Sequence, residues 1–153
     1  MIWVLSVGPR PNLQAARISG ITSLDTNIVV YAFDETAPEK RRRAQQLLRG
    51  STWCCSWQVI QEFSHVARHR FATPLFPVDL GDYVDLVLWP RCRVLPSPNL
   101  LRTALTLHAA TQCSFYDSLI VCGAIASGAK LLYTEDLQHD RVIEGVRIVN
   151  PFR

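Results

Sequence analysis

Short apolar segments alternate along this chain with longer segments of helical periodicity, and this alternation constrains the fold more than any other feature. The apolar segments have the length of strands and are bounded by turn-forming residues. Strands separated by helices form βαβ units, in which the strands run parallel and helices cover both faces of the sheet. The sequence therefore predicts a three-layer α/β/α domain with a central parallel sheet. The predicted strands are Ile21–Asp25, Trp53–Cys55, Arg93–Leu95, Leu131–Tyr133 and Val146–Val149.

Residues that commonly start and stop helices mark the boundaries of the segments between these strands. Pro38 suits the first turn of a helix, Ser56 suits an N-cap, and Gly50 and Gly128 suit helix ends. Pro90 should stop the helix that precedes it, because proline cannot donate a backbone hydrogen bond. The predicted helices are Ile28–Phe33, Glu39–Arg49, Trp57–His69, Val78–Leu88, Asn99–Thr111 and Asp117–Ser127.

The length and composition suit one compact domain. The chain has 153 residues, and 48% of them are hydrophobic, which is enough for a substantial core. Residues 1–20 differ from the rest, because positions 8–12 are rich in glycine and proline and the segment lacks clear periodicity. We expect residues 1–20 to be an appendage to a domain over residues 21–153; a start site assigned too far upstream is the alternative. No apolar run reaches the roughly 18 residues of a membrane span, and no basic segment precedes the short apolar N-terminus, so neither an anchor nor a secretory signal is predicted.

The charge and the cysteines narrow the class of protein. A net charge of +3 favours a nucleic-acid partner only weakly. The basic clusters at residues 40–43 and 68–70 are either solvated helix faces or contacts to phosphate. Five cysteines without a C-x-x-C pair argue against a disulfide framework or a zinc knuckle, and indicate a reduced, cytoplasmic setting.

Four acidic residues lie far apart in the sequence, each beside an apolar stretch: Asp25, Glu62, Asp117 and Asp136. In a parallel α/β sheet, functional groups gather beyond the carboxyl ends of the strands, so these side chains can converge at one sheet edge. Carboxylates that are brought together in an apolar setting repel one another, and a divalent cation removes that cost. Hard oxygen ligands suit Mg²⁺ or Mn²⁺, and the set points to phosphodiester hydrolysis.

Other interpretations of these residues and of their neighbours stay open at this stage. Asp25, Asp117 and Asp136 could each cap a helix, although capping does not explain Glu62 in the middle of one. Glu135 could replace Asp136 as a ligand. His65 and His69 have the spacing of a zinc pair, but no third ligand lies near them in the sequence; they could instead contact RNA phosphate.

Several motifs in order resemble those of PIN-domain ribonucleases, most closely the VapC-type toxins of bacterial toxin–antitoxin pairs. The resemblance covers about residues 22–152, and residues 1–20 lie outside it. Each motif alone is weak, but four in order followed by an Asn-Pro-Phe end are a strong signal. The motifs are Leu24-Asp25-Thr26-Asn27-Ile28, Gln61-Glu62-Phe63, Phe115-Tyr116-Asp117-Ser118-Leu119-Ile120, Leu132-Tyr133-Thr134-Glu135-Asp136-Leu137 and Val149-Asn150-Pro151-Phe152.

The resemblance implies a metal-dependent endoribonuclease. It places the four family acids on Asp25, Glu62, Asp117 and Asp136. Of these, Asp25, Asp117 and Asp136 are the expected ligands of Mg²⁺ or Mn²⁺, and Glu62 is expected to bind through water or to position the nucleophile. Two further polar residues, Asn27 and Thr134, are expected to orient the carboxylates.

The resemblance also implies partners: a tRNA or rRNA substrate, a second copy of the chain in a homodimer, and a cognate antitoxin protein. Two other functions remain compatible with the motifs. One is a PIN-domain nuclease of RNA processing that has no antitoxin. The other is a catalytically idle PIN fold that acts as a binding module. The complete set of four acids argues against this second alternative.

Overall fold

The computed structural model describes residues 20–50 and 52–153, so the predicted appendage lies outside the described residues except for Gly20. The strands are β1 Thr22–Leu24, β2 Trp53–Ser56, β3 Cys92–Val94, β4 Leu131–Tyr133, β5 Val142–Ile143 and β6 Val146–Val149. The helices are α1 Thr26–Tyr31, α2 Pro38–Arg49, α3 Trp57–His69, α4 Pro77–Tyr83, α5 Pro98–Ala110 and α6 Phe115–Ala126. None of these helices is both long and apolar enough to cross a bilayer.

The six strands form one sheet in the order β3-β2-β1-β4-β6-β5. Every neighbouring pair is parallel except β5 with β6. The central strand β1 pairs with β2 on one side and with β4 on the other, so the segments that follow these three strands emerge at the same edge. The predicted α/β fold with a mostly parallel sheet flanked by helices is therefore confirmed.

The helices pack as two groups. Helices α5 and α6 pack together, and α6 lies against β1, β2 and β4. Helix α1 packs against α2 and α3, and α3 also packs against α4, β2 and β3. Phe63 of α3 is fully buried and its ring contacts Phe33, Phe71 and Tyr83, which form an aromatic core beside α3. This core fixes the helix that carries Glu62.

A glycine allows α6 to approach the end of β2. A β-carbon at Gly123 would lie 3.1 Å from the β-carbon of Ser56, so a side chain there would require Ser56 or α6 to shift by a few tenths of an ångström. Ser56 occupies the predicted N-cap position of α3, but its side chain makes no capping hydrogen bond. Gly123 therefore sets how closely the helix that carries Asp117 lies to the sheet.

Two predicted helix boundaries were wrong in informative ways. The predicted helix Val78–Leu88 is α-helical only to Tyr83; it continues as a π-helical turn over Val84–Leu88 and a 3₁₀ turn over Trp89–Arg91. Pro90 lies inside that last turn instead of ending the helix before it, because a short 3₁₀ turn tolerates a proline at its start. Helix α6 begins at Phe115, capped by Ser114, and not at Asp117.

Candidate functional site

The four predicted acids lie at or just beyond the carboxyl ends of the central strands. Asp25 directly follows β1, and Asp136 lies just after β4. Glu62 lies on α3, the helix that follows β2, and Asp117 lies in the first turn of α6. The order of strands and helices thus brings Asp25, Asp136 and Glu62 to the same end of the sheet.

Asp25 is the most buried of the four, with 6% of its surface exposed. Its Oδ1 accepts a hydrogen bond from the backbone amide of Thr26 at 2.6 Å and so caps α1. Its Oδ2 accepts one from the Thr134 hydroxyl at 2.7 Å. The capping interpretation is thus correct for Asp25, but two hydrogen bonds do not offset the cost of burying its charge.

The pKa of Asp25 shows that cost. Burial raises the pKa of this carboxyl to about 7, because desolvation disfavours the ionised form. The two hydrogen bonds oppose the rise, whereas the negative charges of Asp136 and Glu62 add to it. Asp136 and Glu62 are therefore each close enough to Asp25 for their charges to disfavour its ionised form.

Thr134 links three of the predicted residues. Its buried hydroxyl donates to Asp25 and accepts from the backbone amide of Asp136 at 3.1 Å and from the Asn27 side-chain amide at 3.3 Å. The same Asn27 amide donates to Asp136 Oδ2 at 3.0 Å. Asn27 and Thr134 thus hold Asp25 and Asp136 in fixed relative positions, as expected for residues that orient carboxylates.

A second series of contacts joins Glu62 to the start of α6. Thr26 donates from its hydroxyl to Glu62 Oε2 at 2.5 Å, and the Gln58 amide donates to Glu62 Oε1 at 2.7 Å. Gln58 also donates to the backbone carbonyl of Tyr116 at 3.3 Å. Neither Thr26 nor Gln58 was predicted as a site residue, although Gln58 lies one helical turn before Glu62 on the same face of α3, where side chains contact each other.

Asp117 is joined to the other acids less directly. Its Oδ2 accepts a hydrogen bond from the Ser114 hydroxyl at 2.7 Å, and its backbone amide donates to the Ser114 Oγ atom at 3.1 Å. Ser114 is therefore the cap of α6, and the capping interpretation of Asp117 was wrong. The neighbouring residue, Tyr116, provides the connection through Gln58 to Glu62.

Glu135 faces a cation outside the cluster. Its carboxylate pairs with the Lys40 ammonium group of α2, which also contacts the Tyr31 hydroxyl at 3.1 Å and lies over the Tyr31 ring. The Phe152 ring packs edge-on against Tyr31 at 5.0 Å, so the C-terminal end joins this cluster. Glu135 is thereby engaged elsewhere, which favours Asp136 as the acid that faces Asp25.

His65 and His69 are exposed on α3, with ring centroids 4.9 Å apart. Among residues 20–50 and 52–153, no three histidine, cysteine or acidic residues lie close enough to hold a metal ion by themselves. The histidine pair therefore lacks a third ligand for zinc within these residues, and the four acids do not form a complete cage around a metal ion.

The oxygen donors present nevertheless fit a hard cation that keeps part of its water shell. The Asn27 Oδ1 atom is buried and accepts no hydrogen bond within the described part of the chain. The side-chain nitrogen of Asn27 donates to Asp136, and the negative charge of Asp136 raises the pKa of Asp25. Mg²⁺ in proteins is commonly bound by one or two carboxylates and several waters, so a complete protein cage is not required.

Comparisons with known proteins identify the family and the fold. A family model for the PIN domain matches residues 23–144. The fold is similar to a chain of a toxin–antitoxin complex from Klebsiella pneumoniae, with a TM-score of 0.62, 19% identity, and coverage of 85% of this chain and 97% of that one. It is also similar to VapBC2 from Rickettsia felis, solved with a DNA fragment from its promoter, with a TM-score of 0.57, 20% identity, and coverage of 84% and 96%.

A third structure, FitAcB from Neisseria gonorrhoeae, has a TM-score of 0.62 at 13% identity and covers 86% of this chain and 99% of that one. The comparison with curated proteins gave no match. At these identities the solved structures establish the fold, and the family model establishes the family. The resemblance drawn from the motifs is confirmed: this chain belongs to the PIN domain family.

Proposed function

We propose that this protein is an endoribonuclease that depends on Mg²⁺ or Mn²⁺. The observation that carries the proposal is the buried Asp25 carboxyl, whose pKa is raised to about 7 beside two further acids. An acid held in this way is poorly placed as a purely structural residue, because its ionised form is unfavourable. A cation at this edge of the sheet would stabilise the ionised form and offset the repulsion from Asp136 and Glu62.

Each residue has a role in the proposed reaction. Asp25, Asp117 and Asp136 are the proposed metal ligands, and they would share the ion through bound water, because no three of these acids lie close enough to hold it directly. Asn27 and Thr134 hold Asp25 and Asp136 in position through their hydrogen bonds. Glu62, which Thr26 and Gln58 orient, is placed to position the attacking water or to accept its proton. The divalent ion, when bound, supplies Lewis acidity at the phosphate.

Purified protein is expected to cut RNA internally in Mg²⁺ or Mn²⁺, because the acids need a cation to act together. Chelation by EDTA should stop the reaction, and added metal in excess should restore it. Gel analysis of a 5′-labelled RNA measures the cut, and a 3′-labelled copy separates internal cleavage from trimming at an end. Equal cleavage in EDTA would contradict the metal mechanism.

We further propose that the protein is a growth-inhibiting toxin whose partner is an antitoxin protein. The support is the similarity of its fold to chains from toxin–antitoxin and VapBC complexes. An inhibitor that places an arginine against the acidic site would replace the charge of the metal. The tRNA or rRNA target and the homodimer that the resemblance implies stay predictions.

Induced expression of the wild-type protein is expected to slow growth and to create new RNA ends, because an unopposed endoribonuclease cuts cellular RNA. Co-expression of the small protein encoded beside it should restore growth and give a stable complex. Sequencing of RNA ends also identifies the target. Normal growth, with no neighbouring small protein that binds, would favour the RNA-processing nuclease, and a protein that binds RNA but never cuts it would be the idle binding module.

A further inference from the structure

Tyr116 is an aromatic side chain that the fold leaves at the edge of the acidic site. Its side chain is 66% exposed, although it directly precedes Asp117. Its ring packs against that of Phe115 in a T-shaped arrangement, with centroids 5.6 Å apart, and most of the residue stays open to solvent. Most other aromatic rings in the described part of the chain are at least half-buried, and exposed Trp89 packs against Trp57.

The backbone that carries Tyr116 is held in place relative to the acids. Its carbonyl accepts from Gln58, whose amide also binds Glu62. On the other side, the hydrogen bonds between Ser114 and Asp117 close the first turn of α6. The backbone that carries this exposed ring is therefore held between the contacts of Glu62 on one side and of Asp117 on the other.

The charge around the ring limits what it can bind. The hydrogen bonds around Tyr116 join it to two carboxylates, Glu62 and Asp117. Both carry negative charge and repel phosphate in the absence of metal. Stacking on an aromatic face needs no cation and is open to every base, which makes it the main way in which proteins hold unpaired nucleotides. A neutral flat ring at this place is suited to a nucleobase and not to the phosphate itself.

We propose that Tyr116 is a stacking platform for an unpaired base next to the phosphate that is cut. The inference rests on the proposed nuclease function and names the part of the RNA that the site recognises. Tyr116 contacts substrate in this view through its ring and not through its hydroxyl.

Three variants test the role of the ring: Tyr116→Ala removes it, Tyr116→Phe keeps it, and Phe76→Ala is a matched control. Phe76 is an equally exposed aromatic residue, 73% exposed, that precedes α4 and lies outside the acidic network. With single-stranded RNA and Mg²⁺, Tyr116→Ala should raise KM by about 5- to 100-fold and change kcat much less, since one stacked base contributes that much to binding. Tyr116→Phe and Phe76→Ala should behave as the wild type.

A substrate with one abasic nucleotide beside the cut gives a readout that a structural defect would not move. The abasic change should weaken binding to the wild type but add little to the defect of Tyr116→Ala, because both remove the same stack. Additive effects of the two changes, or an unchanged KM in Tyr116→Ala, would overturn the proposal. A loss of dimerisation in Tyr116→Ala at unchanged RNA affinity would also overturn it and assign the ring to a protein interface.

Failure of this inference can be separated from failure of the nuclease function. If the wild type cuts no RNA, the proposed function fails, and fluorescence anisotropy with labelled single-stranded and duplex RNA still decides the role of the ring. Weaker binding of the single strand by Tyr116→Ala, with duplex binding unchanged, supports stacking. No binding of single-stranded RNA by the wild type overturns it.

Discussion

Asp25→Asn is expected to lower RNA cleavage by more than about 100-fold while the protein stays folded, because the change removes the most buried charge of the site. The asparagine side chain has nearly the same shape and can still cap α1 through its oxygen. Initial rates in saturating Mg²⁺ or Mn²⁺ measure the loss, and circular dichroism confirms the fold. The residual rate should match that of the wild type in EDTA.

A matched variant shows whether the loss is specific to the site. Asp79→Asn also removes one acidic charge, but Asp79 is exposed in the first turn of α4 and takes no part in the acidic network. We expect Asp79→Asn to cleave RNA at the wild-type rate. If Asp25→Asn kept that rate as well, Asp25 would be a helix cap only, and the metal site would have to be sought elsewhere.

In EDTA, raising the pH from about 5 to about 8 is expected to lower the free energy of unfolding of the wild type more than that of Asp25→Asn. The expected difference between the two decreases is about 3 kcal/mol. Burial raises the pKa of Asp25 from 3.8 to about 7, so the folded protein binds this proton more tightly than the unfolded chain does. The protonated Asp25 carboxyl therefore stabilises the folded protein. This contribution is fully present below the pKa that the group has in the unfolded chain, and it is lost as the pH rises through about 7. Urea denaturation at both pH values measures the difference.

Divalent metal provides the complementary measurement. Mg²⁺ or Mn²⁺ should raise the stability of the wild type most at the higher pH, where Asp25 is ionised, because a ligand stabilises the state that binds it. The same metal should leave Asp25→Asn nearly unchanged. Parallel pH curves for the two proteins in EDTA would mean that Asp25 ionises without cost in the fold, and would remove the observation on which the proposed function rests.

The positions of the acids could be predicted because they follow from the order of strands and helices. Strands such as Leu131–Tyr133 are short apolar runs between turn residues, and the helix over Trp57–His69 has a clear apolar face; both lie where the sequence predicted them. Because parallel strands place their carboxyl ends at one edge, Asp25 and Asp136 had to meet once β1 and β4 became neighbours.

The details that were missed depend on contacts between distant segments. The pairing of Glu135 with Lys40 joins residues 95 positions apart, and no local pattern distinguishes Glu135 from Asp136 before that contact exists. Strand β5 has two residues, Val142 and Ile143, which is too short to show a period. Ser114 was overlooked as a cap although Ser114 and Asp117 have the spacing of a capping box.

The pairing of β1 with both β2 and β4 has a consequence for synthesis of the chain. Asp25 and Thr134 lie 109 positions apart, and they meet only when β4 takes its place beside β1. A nascent chain that has not yet emerged past β4 exposes one edge of β1, leaves Asp25 without its hydroxyl partner and lacks Asp136 altogether. Chains terminated before β4 therefore contain no assembled site, and the site can form only after β4 has been synthesised and has paired with β1.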